Sequence, residues 1–199
     1  MARNIYFNIF TLNVGMSNTL AGLPAFLAAE NLDILFLQEI RMTSLEIEAQ
    51  LRGYSAYVNI DNDNPATPGT ALVWRSHLPV VEAASLVPCR LQIATIGSYR
   101  LMNIYAPSGS NRKSEREEFY RLHVFNALQL DTDKPLICGG DYNAILSAID
   151  VENGFGYGQK RSVALGDLVK VYNLSDTFRH CFPREKAYTF FRPNCAPSR

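Results

Sequence analysis

Runs of apolar, β-branched and aromatic residues recur along the chain: IYFNIFTLNV, DILFLQE, TALVWR, LQIATIG, YRLMNIYAP, PLICGGD and AYTFFR. Their nearly unbroken apolar character predicts strands, several of them buried on both faces, because a half-solvated strand alternates apolar with polar positions. Between some of these runs the spacing lengthens to a helical period, over Asn18–Glu30, Thr43–Leu51, Ser114–Leu130 and Ser162–Tyr172. In the third of these, Ser114 and Glu117 have the spacing of a capping box, and Phe119, Leu122, Phe125 and Leu128 form the apolar stripe. DNDNPATPG, residues 61–69, predicts a turn-rich surface loop. Strands outnumber helices and mix hairpin-like with helix-crossed connections. The expected fold class is therefore α/β, a two-sheet β-sandwich flanked by helices.

Composition narrows this picture. A chain of 199 residues with 47% hydrophobic content supplies one sizeable core, so a single domain over residues 1–199 is expected. No internal repeat, low-complexity tract or long linker divides it. The 19 basic and 19 acidic side chains cancel, so no global field draws the chain to nucleic acid or membrane, and a polyanion must be held by a local patch or a metal. Cys89, Cys138, Cys181 and Cys195 have neither paired C-x-x-C spacing nor the density of a disulfide scaffold, which suits free thiols in a reducing compartment. The start, MARNIYFNIF, lacks an apolar run followed by a small-residue cleavage site, and no stretch approaches the length of a membrane span. An intracellular protein without membrane contact is expected.

The chemistry lies where the strands end. DILFLQE delivers Glu39, PLICGGDYN delivers Asp141 and Asn143, FTLNV delivers Asn13, and LMNIYAPS delivers Tyr105. Strands that end on the same side of a sheet aim such residues into a shared cleft. Taken singly, an Asp after a strand is an ordinary turn former and a Glu an ordinary solvated end. Taken together, two carboxylates, two carboxamides and a phenol suit a hard cation that keeps several waters and binds substrate phosphate. Magnesium is the natural candidate, with manganese as the alternative. Gly139 and Gly140 allow a tight backbone course or the close approach of another group.

TLNV, LQE, NIYAPS and GGDYN occur in this order on separate strands, and with them the chain resembles the exonuclease, endonuclease and phosphatase superfamily, whose apurinic endonucleases share the pattern. Within it the chain is similar to the endonuclease domain of LINE-type (non-LTR) retrotransposons, from about Ile5 to its end and including NLSDTFRHCFPREKAYTFF. The resemblance implies a four-layer, DNase-like sandwich. It also implies a Mg2+-dependent DNA endonuclease that nicks double-stranded DNA for target-primed reverse transcription. Such a domain is expected to be a monomeric part of a longer polyprotein with reverse transcriptase, nuclear when it acts on DNA. By the same resemblance Glu39 ligates the metal with Asn13 beside it, Asp141 orients or activates the attacking water, Asn143 positions the phosphate, and Tyr105 contacts the scissile phosphate. Thr189, Ser108, Arg41, Arg192 and Arg199 are the expected DNA contacts, the two last arginines on the hairpin FRPNCAPSR. The alternatives are an apurinic-site endonuclease or other phosphoesterase of the superfamily, and a catalytically dead DNA- or protein-binding fragment.

The sequence departs from the family pattern at its end. The family carries its general base as a histidine in a C-terminal Ser-Asp-His, with a further aspartate after a Ser-Arg. Here the chain stops at NCAPSR, so the last strands are expected to be missing and nicking to be impaired. His77, His123 and His180 do not fill the role: Ser175 and Asp176 are followed by Thr177, which leaves Asp176 structural and His180 on the surface, and His123 lies on a helix face.

Overall fold

Among the described residues six of the seven apolar runs become strands, several of them buried along most of their length. In the computed structural model, which describes residues 6–16, 19–64, 66–130, 133–152 and 157–189, the chain divides into two compact units. The first comprises residues 1–106 with 126–142, the second 107–125 with 143–199.

The first unit contains β1 (Ile9–Asn13), α1 (Leu23–Ala29), β2 (Ile34–Ile40), α2 (Ser44–Gln50), β3 (Tyr54–Asn59), β4 (Gly69–Arg75), β5 (Val80–Val87), β6 (Leu91–Ile96), β7 (Tyr99–Tyr105) and, later in the chain, β8 (Leu136–Asp141). One mixed sheet has the order β1-β2-β4-β3 and the other β5-β6-β7-β8. β1 pairs with β2 in parallel, and β7 pairs with β8 in parallel, while the remaining pairs are antiparallel. The two-sheet sandwich with helical flanks is thus the observed architecture. β3 and β5 are additions to the strands expected from sequence.

Alternation along β2 splits its apolar run between two cores. Leu35 and Leu37 join Leu23 and Leu27 of α1 and Ile47 of α2 on the outer face. Ile34 and Phe36 face the other sheet and pack with Leu72, Ala94, Ile96 and Leu101. α2 is closed by a capping box in which Thr43 Oγ1 accepts from the amide of Glu46 while the Glu46 carboxylate accepts from the amide of Thr43. The two-glycine step in β8 has separate causes at each position. A Cβ on Gly139 would stand 2.0 Å from the Phe36 ring, and one on Gly140, at φ +136°, would stand 1.9 Å from the Ile104 carbonyl oxygen. Of the cysteines, Cys138 has its thiol pushed up to about 12 by desolvation, so it is a protonated, unreactive group at neutral pH. Cys195 lies outside the described residues.

The second unit contains, among the described residues, α3 (Lys113–Phe119), a π-helical turn over Tyr120–Val124, the start of α4 (Phe125–Leu128), α5 (Tyr157–Lys160), α6 (Val163–Val171) and α7 (Thr177–Cys181), joined by turns and an isolated bridge between Ile145 and Arg161. Here two sequence expectations are corrected. The Ser114/Glu117 capping box does not form: α3 begins at Lys113 with no side-chain cap. Glu117 instead accepts the amide of Ala164 at 2.9 Å, in the first turn of α6, where a carboxylate offsets unpaired donors. The apolar stripe also shifts, because the π-turn inserts one residue per turn. Leu122 is rotated out to 51% exposure, and Tyr120, Val124, Ala127 and Leu128 are buried in its place. Asp176 caps α7 by accepting from the amide of Arg179, and His180 is exposed, as expected. Ala187–Thr189, the described part of AYTFFR, is not in a strand. The start of the first expected helix at Asn18 lies outside the described residues.

The glycine geometry sets an expected ranking. Gly140→Ala should cost about 3 kcal/mol or more, since backbone must move. Gly97→Ala, at φ +58° with nothing within 4 Å, should cost about 1 kcal/mol. Urea unfolding of both variants checks this, and equal losses would show that β8 and β7 separate cheaply.

Candidate active site

Parallel pairing decides where the polar strand ends meet. Asn13 pairs with Gln38, and Tyr105 pairs with Asp141, so each parallel pair brings two C-terminal ends to one side. The same inner-face positions can be followed inward in layers. Farthest from those strand ends are Ile9, Phe36, Leu101 and Ile137, all apolar. The next layer is polar and mostly buried: Gln38 Nε2 donates to Asn103 Oδ1 at 2.8 Å and to Thr11 Oγ1 at 3.3 Å. Asn103, fully buried, donates through Nδ2 to the carbonyls of Leu37 and Ala71 and to Gln92 Oε1 at 3.0 to 3.3 Å. Gly139 belongs to this layer, beneath the Phe36 ring.

The outermost layer is the candidate site: Asn13, Glu39, Tyr105 and Asp141. Asn13 Nδ2 donates to Glu39 Oε1 and to Asp141 Oδ2, each at 3.0 Å. Its Oδ1 accepts the amide of Gly15 at 2.9 Å, which fixes which end of the carboxamide faces the carboxylates. Tyr105 is 6% exposed, and its hydroxyl donates to Glu39 Oε1 at 2.7 Å.

Glu39 reaches this layer through a β-bulge. Gln38 pairs with Thr70 and Ile40 with Gly69, so Glu39 is an extra residue in β2, held at φ +58°. Strict alternation would send Glu39 to the outer face beside Leu35 and Leu37. The inserted residue lets Ile40 fill that apolar place and turns the carboxylate toward Tyr105 of the other sheet. A non-glycine residue in the left-handed region is strained, and the strain sits on the carboxylate that the sequence singled out.

The other expected residues are placed as follows. Arg41 is exposed in the first unit, where Nη2 donates to the Ala66 carbonyl at 3.3 Å. Asn143, Ser108 and Thr189 belong to the second unit. Asn143 is left-handed at φ +47°, Ser108 is half-buried in the loop that Arg116 holds through the carbonyls of Pro107 and Gly109, and Thr189 is exposed. Arg192, Arg199 and the hairpin FRPNCAPSR lie outside the described residues. The one histidine of the first unit, His77, follows β4 at the end opposite Gly69 and Glu39. His123 stacks on Phe119. Sequence reading passed over Arg90, whose guanidinium carbon lies 4.5 Å from the centroid of the Tyr105 ring.

With this geometry in hand, the comparison with known proteins is decisive at the family level. The model of the family described as "Endonuclease/Exonuclease/phosphatase family" matches residues 7–198. The chain belongs to that family. Among proteins with which it shares sequence, it is 33% identical over 117 residues to the "Transposon TX1 uncharacterized 149 kDa protein" of Xenopus laevis, covering 57% of this chain and 9% of that protein. It is 25% identical over 181 residues to an exodeoxyribonuclease of Streptococcus pneumoniae, covering 77% of this chain and 66% of the enzyme. The chain thus spans less than two thirds of the length of these relatives. Among solved structures, an AP endonuclease from Archaeoglobus fulgidus superposes with a TM-score of 0.72 at 17% identity, covering 95% of this chain and 79% of the other, and shows the shared fold.

The bulge carries an expected outcome that the chemistry of the site does not. Glu39→Gly should be more stable than Glu39→Ala by about 1 kcal/mol, since both lose the carboxylate and glycine alone tolerates the left-handed backbone. Chemical denaturation of the two variants measures the difference, and an alanine variant at least as stable would remove the strain from the account.

Proposed function

We propose that the chain is a divalent-metal-dependent phosphodiesterase that nicks double-stranded DNA, with Asn13, Glu39, Tyr105 and Asp141 at its centre; the role of Asn143 as phosphate contact is proposed from the sequence resemblance alone. The observation that carries this is the joining of two carboxylates from opposite sheets through the single Asn13 amide nitrogen. The donor set fits magnesium or manganese. Among the described residues no group of three His, Cys, Asp or Glu gathers, so a closed site for a softer metal is not formed. One or two carboxylates that leave the other positions to water and phosphate are the usual magnesium pattern. Glu39 would hold the ion, and Asn13, which presents nitrogen, would orient the two carboxylates.

Bound there, the ion would supply positive charge to the phosphate oxygens as the P–O bond breaks. Asp141, whose Oδ2 accepts a hydrogen bond from Asn13, would orient the water that attacks phosphorus. Tyr105, held at Glu39, would direct its hydroxyl at the scissile phosphate, and Arg41, Ser108 and Thr189 would touch the DNA backbone, contacts that weaken as salt rises. The similarity to the frog transposon protein supports a place in a longer transposon protein; association with reverse transcriptase and action in the nucleus on a target strand complete the proposal. Similarity to the Streptococcus exodeoxyribonuclease supports a second reading, resection from DNA ends.

Supercoiled plasmid in magnesium distinguishes the two: accumulation of nicked circles supports the endonuclease, and attack on linear duplex alone supports the exonuclease. Asp141→Ala should lower the rate about 10²-fold or more while the thermal midpoint moves little. In calorimetry Glu39→Ala should lose most of the heat of magnesium or manganese binding. Unchanged binding in Glu39→Ala would remove the metal assignment, and unchanged cleavage in Asp141→Ala would remove the catalytic one.

A further inference from the structure

Against the Tyr105 ring lies a cation that the chemistry above does not use. Arg90, just ahead of β6, places its guanidinium 4.5 Å from the ring centroid, a distance at which the cation is attracted to the electron-rich face. Its carbonyl also accepts the Tyr105 amide at 2.7 Å, so backbone and side chain of the same residue grip Tyr105. Nη1 of Arg90 is buried with no hydrogen-bond partner, and among the described residues no carboxylate pairs with the guanidinium.

A buried donor on a charged group is costly when nothing satisfies it. Arg90 bears that cost in contact with the tyrosine whose hydroxyl meets the Glu39 carboxylate. A neutral side chain of similar length would pack against the ring without it. The ring is therefore held at three points: its face by the Arg90 guanidinium, its backbone by the Arg90 carbonyl and its hydroxyl by Glu39.

We infer that Arg90 is a positioning residue for phosphodiester recognition, fixing the Tyr105 ring so that its hydroxyl stays at Glu39 and meets the substrate's phosphate. What Tyr105 faces rests on the nuclease reading; the grip of Arg90 on Tyr105 does not.

A double-mutant cycle tests it, with the parent chain, Arg90→Met, Tyr105→Phe and the combination, read by affinity for a short DNA duplex without magnesium and by kcat and KM for cleavage with it. Arg90→Met should weaken affinity or kcat by about 3- to 10-fold in the parent, the range of a partly desolvated cation–π contact. In the Tyr105→Phe background, where no hydroxyl is left to position, it should change them less than about twofold. Arg90→Lys, which keeps the charge without the planar stack, should recover part of the loss and serves as the variant to measure if Arg90→Met does not fold. Equal losses in both backgrounds, or none in either, overturn the inference. A parent chain that neither binds nor cleaves duplex DNA overturns the nuclease reading and this inference with it, whereas a parent that does either, with additive losses, overturns the inference alone.

Discussion

One amide nitrogen, Nδ2 of Asn13, stands between two carboxylates delivered from different sheets, Glu39 of β2 and Asp141 of β8. Like charges so placed repel unless a donor or a cation lies between them, so the arrangement exists only while the strands carrying it are held rigidly. The parallel pairing of β1 with β2 and of β7 with β8 is what brings the four strand ends together. Neither pair can be made by a tight hairpin, which explains why helices and long connections intervene between their members.

Beneath that layer the fold grades from polar to apolar. Asn103 satisfies carbonyls of β2 and β4 while its own oxygen takes the Gln38 amide, so the buried layer is specified by hydrogen bonds that only one register of the two sheets completes. Apolar packing of Phe36 against Gly139 then sets how closely the sheets approach. A side chain at Gly139 would push β8 away from β2 and draw Asp141 out of reach of Asn13. The glycine pair in GGDYN therefore serves the carboxylate that follows it.

Much of this was legible from sequence because fully covered strands carry an unbroken apolar signal and because polar residues ending such strands are conspicuous. β3 and β5 were not legible for the converse reason. In YSAYVN the apolar Tyr54, Ala56 and Val58 alternate with Ser55, Tyr57 and Asn59, and VVEAASLV is rich in small residues, so neither reads as a buried run. The shift from Leu122 to Val124 required knowledge of a π-turn, and the pairing of Glu117 with Ala164 required knowledge of tertiary structure, which local propensity cannot supply. Glu39 was identified as a strand end, yet the bulge that turns it inward depends on its pairing with β4. Arg90 gave no signal at all, since an arginine before a strand is unremarkable until the ring it touches is known.

The position of the site on strands has a consequence for how the protein tolerates change. A loop-borne site can drift without harming the core, but here each functional side chain continues a row whose lower members are Phe36, Leu101 and Ile137. A slip of one residue in any of these strands would exchange its inner and outer faces, burying carboxylates under α1 and α2 and exposing leucines to the site. The β2 bulge opposes that slip, because Gln38 pairs with Thr70 and Ile40 with Gly69, and a one-residue shift would carry Glu39 out of the bulge and away from Tyr105. The strain retained at Glu39 thus accompanies a register lock: the residue that is costly to hold is also the one that prevents β2 from settling one step away.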